Sequence, residues 1–191
     1  MKPAFIFTLF AAGLAASCTS NAPYHPASPP EGIEFGQARC DVYPEDVRKD
    51  PARYAQTRVV WAGIISSNDV QEAESAGKFR LDTVLEHHYF AWKEDRYPGG
   101  VKLPISARGE GMFRLRWHVH QNDPEATVDD AAQYAAPGDL AMVYGTPESV
   151  DEDGTIVLRY HYLRIVRPAH FTTKGLSYGR LGEPSPSRGA K

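Results

Sequence analysis

The sequence predicts a mainly β domain of small-barrel size, and three observations carry that expectation. Short runs rich in β-branched and aromatic residues recur between Arg58 and Arg167, several of them alternating apolar and charged side chains as a half-buried strand requires. Turn-forming pairs such as Pro98-Gly99, Pro137-Gly138 and Asp153-Gly154 punctuate these runs. With 191 residues, 42% of them hydrophobic, the chain suits one packed domain plus tails.

Residues 43–55 predict short helical turns, one of them capped by Asp50 with Pro51 at its first position. The run Arg58-Val59-Val60-Trp61-Ala62-Gly63-Ile64-Ile65 is apolar on both faces and predicts a central strand, with Gly63 at a bend or bulge. From Lys78 to Glu86, Phe79, Leu81 and Thr83 alternate with charged partners, predicting a second strand that runs on through His87, His88 and Tyr89 to Trp92. Residues 93–111 contain Pro98-Gly99-Gly100 and Pro104 and read as a long loop. In residues 112–120, Phe113, Leu115, Trp117 and Val119 share one face of a third strand, and Arg114, Arg116, His118 and His120 share the other.

Asp123-Pro124-Glu125 opens a helical segment, residues 126–135, that Pro137-Gly138 ends. Residues 139–145 and 155–167 supply two last strands, joined through Asp151-Glu152-Asp153-Gly154, whose Asp-Gly pair is a hairpin signal. The order strand, strand, strand, helix, strand, strand is that of the OB-fold, a five-stranded, partly open Greek-key barrel. A short β-sandwich is the competing architecture. Either fold offers a surface and leaves the function to particular residues.

Ahead of the domain, residues 4–16 form an apolar run preceded by Lys2, too short to span a bilayer and of the length of an export signal. The run ends Leu14-Ala15-Ala16-Ser17-Cys18, which resembles the lipobox of bacterial lipoproteins. That resemblance implies cleavage before Cys18, a diacylglyceryl thioether on its sulfur, an acylated amine and firm membrane attachment, since each buried methylene contributes about 0.8 kcal/mol. An ordinary signal cleaved near Ser17, with Cys18 unmodified, is the competing reading. Thr19 stands where many inner-membrane lipoproteins carry Asp, so the resemblance favours the outer membrane and leaves the face, periplasmic or surface, open.

The chain thus divides into a signal peptide (1–17), a lipidated Cys and flexible tether (18–40) containing Pro23, Pro26, Pro29 and Pro30, a barrel domain (41–168) and a C-terminal tail (169–191). With the Cys18 sulfur acylated, Cys40 is a lone thiol. It reads as a small buried apolar side chain whose neighbour Asp41 raises its pKa. The net charge is −3; removal of residues 1–17 takes away only Lys2, leaving 20 basic against 24 acidic side chains, or −4, which argues against nucleic acid as a partner.

Two segments carry a family resemblance. Residues 58–65 couple Trp61 to Gly63 after a short helical region, and Pro137-Gly138-Asp139, Val143-Tyr144-Gly145, Asp153-Gly154-Thr155-Ile156 and Tyr160-His161-Tyr162 mark paired closing strands. With the lipobox, these resemble the Slp family of bacterial outer-membrane lipoproteins. The resemblance implies an envelope-associated, stress-linked role without defined catalytic residues.

Three functional readings follow. The first is a non-enzymatic envelope lipoprotein whose domain contacts another envelope component. The second is an OB ligand-binding module for glycans or small molecules, using Trp117, Tyr160, Tyr162, Arg114 and Arg116; it requires those rings on one exposed concave face, whereas rings in the barrel core are the competing reading. The third is a metal-dependent enzyme in which His118 and His120, two apart on a strand, point the same way and find a third ligand among His87, His88, His161 or Glu86. Histidines on the solvent side of an amphipathic strand compete with it. The serines at 66, 67, 75, 106, 149 and 177 lack a Gly-x-Ser-x-Gly elbow, and Gly109-Glu110-Gly111 lacks the rest of a phosphate-cradling loop. Asp151-Glu152-Asp153 lacks the ligand spacing of a calcium loop and reads as a solvated turn. No cofactor is expected.

Overall fold

The computed structural model describes residues 20–73, 77–121 and 127–174. In chain order these form β1 (Ser20–Pro23), α1 (Pro29–Gln37), α2 (Pro44–Lys49), α3 (Pro51–Tyr54), β2 (Val59–Glu72), β3 (Lys78–His88), β4 (Lys93–Tyr97) and β5 (Gly100–Ser106). They continue with β6 (Met112–His120), α4 (Val128–Tyr134), β7 (Leu140–Val150), β8 (Ile156–Val166), a 3-10 turn (Pro168–His170) and β9 (Phe171–Lys174). Strands β2, β3, β6, β8 and β7 close into a barrel in that order. Counted along the chain, the order is first, second, third, fifth, fourth, with α4 between third and fourth. That is an OB-like barrel. Among the described residues no helix is long and apolar enough to cross a membrane.

Alternation in β3 and β6 turns Phe79, Leu81, Leu85, Phe113, Leu115, Trp117 and Val119 into the barrel, where they meet Trp61, Val143, Ile156 and Leu158. Val47 of α2 and Ala131 of α4 join the same core. Asp50 caps α3, its Oδ1 accepting from Arg53 N at 3.2 Å, as the Asp-Pro pair predicts. Thr127 caps α4 in a reciprocal box with Asp130, so the described helix starts later than residue 126. The closing hairpin turns through Gly154 at φ +81°, with Asp151 N donating to Thr155 O at 2.8 Å.

Several expectations are corrected. The second barrel strand stops at His88, and Trp92, at φ +54°, turns the chain away. Residues 93–111 are not one long loop, because Leu103 and Ile105 alternate inward and Pro98-Gly99 makes a tight turn between Tyr97 and Gly100. The resulting β4–β5 hairpin lies in a second sheet ordered β1-β4-β5-β9. The segment read as a flexible tether is folded from Ser20: β1 pairs with β4, and α1 packs toward β8. Within the C-terminal tail, Phe171–Lys174 form β9, which pairs in parallel with β5; Tyr178 and the other residues after 174 lie outside the described residues.

These additions bury the outer face of the barrel at β2 and β7. Val60, Ala62, Leu140, Met142, Tyr144 and Val166 form a second core with Tyr24, Phe90, Leu103 and Ile105. The two-sided apolar text of residues 58–65 thus reflects burial on both faces. Gly63 is not the bulge, which falls between Ile65 and Ser67. A Cβ at Gly63 would lie 2.7 Å from Phe113 Cζ and 3.0 Å from Leu85 Cβ, inside the packed barrel. Gly63→Ala is therefore expected to destabilise the fold by about 1–3 kcal/mol through overpacking; an unchanged denaturant midpoint would refute this.

Candidate functional site

The bulge in β2 builds a polar recess on the outward face of the barrel. Up to Ile65, odd-numbered residues face the barrel interior; Ser66 is the extra residue, and beyond it Asn68 pairs with Thr83 and Val70 with Leu81, both inward. One inserted residue exchanges the two faces of a strand. Asp69 and Gln71, which an unbroken strand would drive into the core, therefore point outward beside Asp82 and Arg80 of β3. Asn68, turned inward, donates to Ala135 O at 3.1 Å and accepts from Thr83 Oγ1 at 2.7 Å, tying α4 to the barrel.

Asp69, Gln71, Arg80, Asp82 and Arg116 line an open recess of about 190 Å³. Gln71 Nε2 donates to Asp69 Oδ2 at 2.8 Å, and Arg80 donates to Gln71 Oε1. Asp82 is the hub: its Oδ2 accepts from Arg116 Nε at 3.2 Å, and its Oδ1 lies 3.3 Å from Arg114 Nε. Arg114 also reaches Asp151 Oδ2 at 3.3 Å across the closing hairpin. Arginines held by carboxylates at one edge present fixed guanidinium donors to a partner, a geometry suited to carboxylate or hydroxyl recognition. This is the outward face of the second and third barrel strands, where OB folds bind oligomeric ligands.

A second polar cluster is buried. Glu31 of α1 is fully buried. Its Oε1 accepts from the hydroxyls of Tyr24 and Tyr144, the latter at 2.9 Å. Oε2 accepts from Ala27 N at 2.6 Å and lies 3.8 Å from Arg164 Nη1, which also donates to Tyr24 Oη at 3.1 Å. Burial first, then the neighbouring carboxylate, pushes the Tyr24 phenol above its ordinary 10. The Tyr144 phenol rises likewise through burial and then its neighbours Tyr24 and Glu31. Both stay protonated and act as donors. The cluster joins the N-terminal arm to the barrel.

The residues singled out from the sequence disperse. Cys18 lies outside the described residues. Trp117 is 4% exposed, its Nε1 donating to Thr83 Oγ1 at 2.9 Å inside the barrel. Tyr160 stacks on it from the barrel mouth at 6.3 Å between centroids and is 39% exposed. Tyr162 is half-buried on the outer side, sharing a 2.9 Å hydrogen bond with Ser28 Oγ. The three rings share no concave face with Arg114 and Arg116, which corrects that candidate site: the inward period of β6 takes Trp117 into the core.

His118 and His120 do lie outward and exposed, but in register with Arg80 and Lys78. His87 is buried, its Nδ1 accepting from Glu110 N at 3.1 Å, and His88 is buried with Nδ1 donating to Ser106 O at 2.7 Å. His161 pairs with Thr146 Oγ1 at 2.8 Å, and burial, then Arg58, lowers its pKa. Among the described residues no three His, Cys, Asp or Glu side chains converge to hold a metal. Gly109-Glu110-Gly111 instead crosses His87 so closely that a Cβ at Gly109 would lie 1.9 Å from His87 O. Cys40 is half-buried against the second core, and burial, with Asp41 adding to it, raises its thiol pKa.

Asp69, Gln71, Arg80 and Asp82 were not singled out from the sequence. The charged partners alternating with Phe79 and Leu81 were the available signal for the last two; the bulge hid the first two. No family model and no curated protein matches this chain.

Removing the buried carboxylate strands two hydroxyls and a guanidinium. Glu31→Ala is expected to cost about 3 kcal/mol or more and to release the arm first. Hydrogen exchange checks this: residues 22–38 should lose protection while β3 and β6 keep theirs, and retained protection in the arm would refute the role given to Glu31.

Proposed function

We propose that this chain is an envelope lipoprotein of the Slp type, anchored in the outer membrane through lipid on Cys18. Its OB-like barrel is a non-catalytic domain that docks an envelope partner on the outward face of β2, β3 and β6. The size of the recess carries this reading. At about 190 Å³ it falls below the roughly 300–1,000 Å³ of small-molecule pockets, and it lies on a barrel whose interior is filled by side chains. A shallow surface of carboxylates, amide and guanidinium groups fits the complementary surface of another macromolecule, for which charge sets specificity. The resemblance to the Slp family and the lipobox at Cys18 support the location.

Glycan binding is the second reading. The recess offers the acceptors and donors that sugar hydroxyls use, which favours it, although its lining residues include no aromatic ring.

Radiolabelled palmitate tests the anchor: the wild-type chain is expected to incorporate label and Cys18→Ala none, and label persisting in the mutant would contradict Cys18 as the site. The docking face is tested separately by crosslinking in cells. Arg116→Glu is expected to weaken a captured complex by about 2 kcal/mol or more if this arginine is central to the interface. An unchanged crosslinking pattern would reject the face, and retention of immobilised envelope glycans in place of any protein would select the second reading.

A further inference from the structure

The β4–β5 hairpin stands where the chain would meet a membrane. β1 begins at Ser20, two residues after Cys18. An extended chain spans at most about 3.6 Å per residue, which places a lipidated Cys18 within about 7 Å of Ser20. Ser20 pairs with Arg96, beside the hairpin tip. Lipid on Cys18 therefore holds the tip, residues 96–102, close to the headgroups, with no long tether between.

We infer that this tip, Arg96 to Lys102, seats in the headgroup layer of an anionic phospholipid leaflet. The inference rests on the proposed lipidation of Cys18. The side chains suit that surface. Val101 is 38% exposed, and Pro98, Gly99 and Gly100 are exposed around it. Tyr97 is half-buried, with Lys102 Nζ 5.9 Å from the centre of its ring. An aromatic ring and a small apolar side chain flanked by Arg and Lys match the polarity gradient at a bilayer surface.

The nearby carboxylates are withdrawn or neutralised. Glu94 is 4% exposed and accepts from His25 N at 2.9 Å and from Arg96 Nη2 at 3.3 Å. Asp95 is held by Lys174 Nζ at 2.5 Å. Arg96 stays 46% exposed while paired with Glu94, and Lys93, Arg96, Lys102 and Lys174 outnumber Glu94 and Asp95 by four to two, on a chain whose net charge from Cys18 onward is −4. That asymmetry turns one end of the small sheet toward an anionic surface.

The test supplies the anchor chemically. The chain from Cys18 to Lys191, which contains every described residue, carries Cys40→Ala so that Cys18 is its single thiol. It is coupled to a maleimide phospholipid in vesicles of phosphatidylglycerol and phosphatidylethanolamine. Hydrogen exchange at residues 96–102 is expected to slow several-fold relative to phosphatidylcholine vesicles, with residues 151–154 unchanged. Each basic side chain at an anionic surface is worth about fivefold in occupancy, so Arg96→Glu with Lys102→Glu should abolish the slowing. Circular dichroism checks that the double variant stays folded. Exchange equal on both vesicles, or slowing that survives the charge reversal, would overturn the contact. Because the coupling does not depend on acylation in cells, a negative result here overturns the tip alone, whereas failure of palmitate labelling overturns the anchor alone.

Discussion

Two barrel strands that are apolar on both faces impose the constraint from which the rest of this structure follows. In a small closed barrel one face of each strand fills the interior and the other meets solvent. In β2 and β7 the outer face is itself Val60, Ala62, Leu140, Met142 and Tyr144, all buried. Burying a large aliphatic side chain is worth about 1.5–3 kcal/mol, so these residues demand a cover. The N-terminal arm and the β4–β5 hairpin supply it, Tyr24, Phe90, Leu103 and Ile105 completing a second core outside the first.

Apolar contact alone would leave the arm free to slide. Glu31 fixes its place. An isolated buried carboxylate would cost several kcal/mol, and here two phenols, a backbone amide and a nearby guanidinium compensate it. Because Tyr144 and Arg164 belong to β7 and β8 while Tyr24 and Glu31 belong to the arm, the network forms only in one docking position. That position also sets where β1 lies, because the arm that carries Glu31 begins with the strand paired to β4.

How much of this was legible in the sequence depended on whether the signal was periodic. The inward face of β6 and its outward Arg114, Arg116, His118 and His120 follow from a period of two, and the strand–helix order yields the barrel. The arm was hidden by its prolines, which suggested an extended linker. Yet Pro29 and Pro30 occupy the first turn of α1, where no backbone donor is needed, and Ser28 with Glu31 is a helix-start signal inside that proline-rich text. The hairpin after His88 was hidden in the same way, its Pro-Gly-Gly turn outweighing the alternation of Leu103 and Ile105. The ring-based binding site failed for a different reason. Periodicity put Trp117 on the apolar face from the outset, and grouping it with Arg114 and Arg116 ignored that residues adjacent on a strand point apart.

The bulge at Ser66 was not legible, since nothing in Ser-Ser-Asn-Asp marks an extra residue, but it links the two halves of the molecule. Before it, β2 is buried on both sides and pairs with β7 as well as β3; after it, the strand pairs with β3 alone and is polar outside. A regular strand continuing past Ile65 would send Asp69 and Gln71 into the core and Val70 into water. The sequence is compatible with a closed barrel only if the register slips by one residue there. The same slip aligns Asp69 and Gln71 with Arg80 and Asp82, so the recess is a consequence of how this strand resolves its own hydrophobic pattern. Covered core and polar recess are thus successive halves of one strand, separated by a single residue.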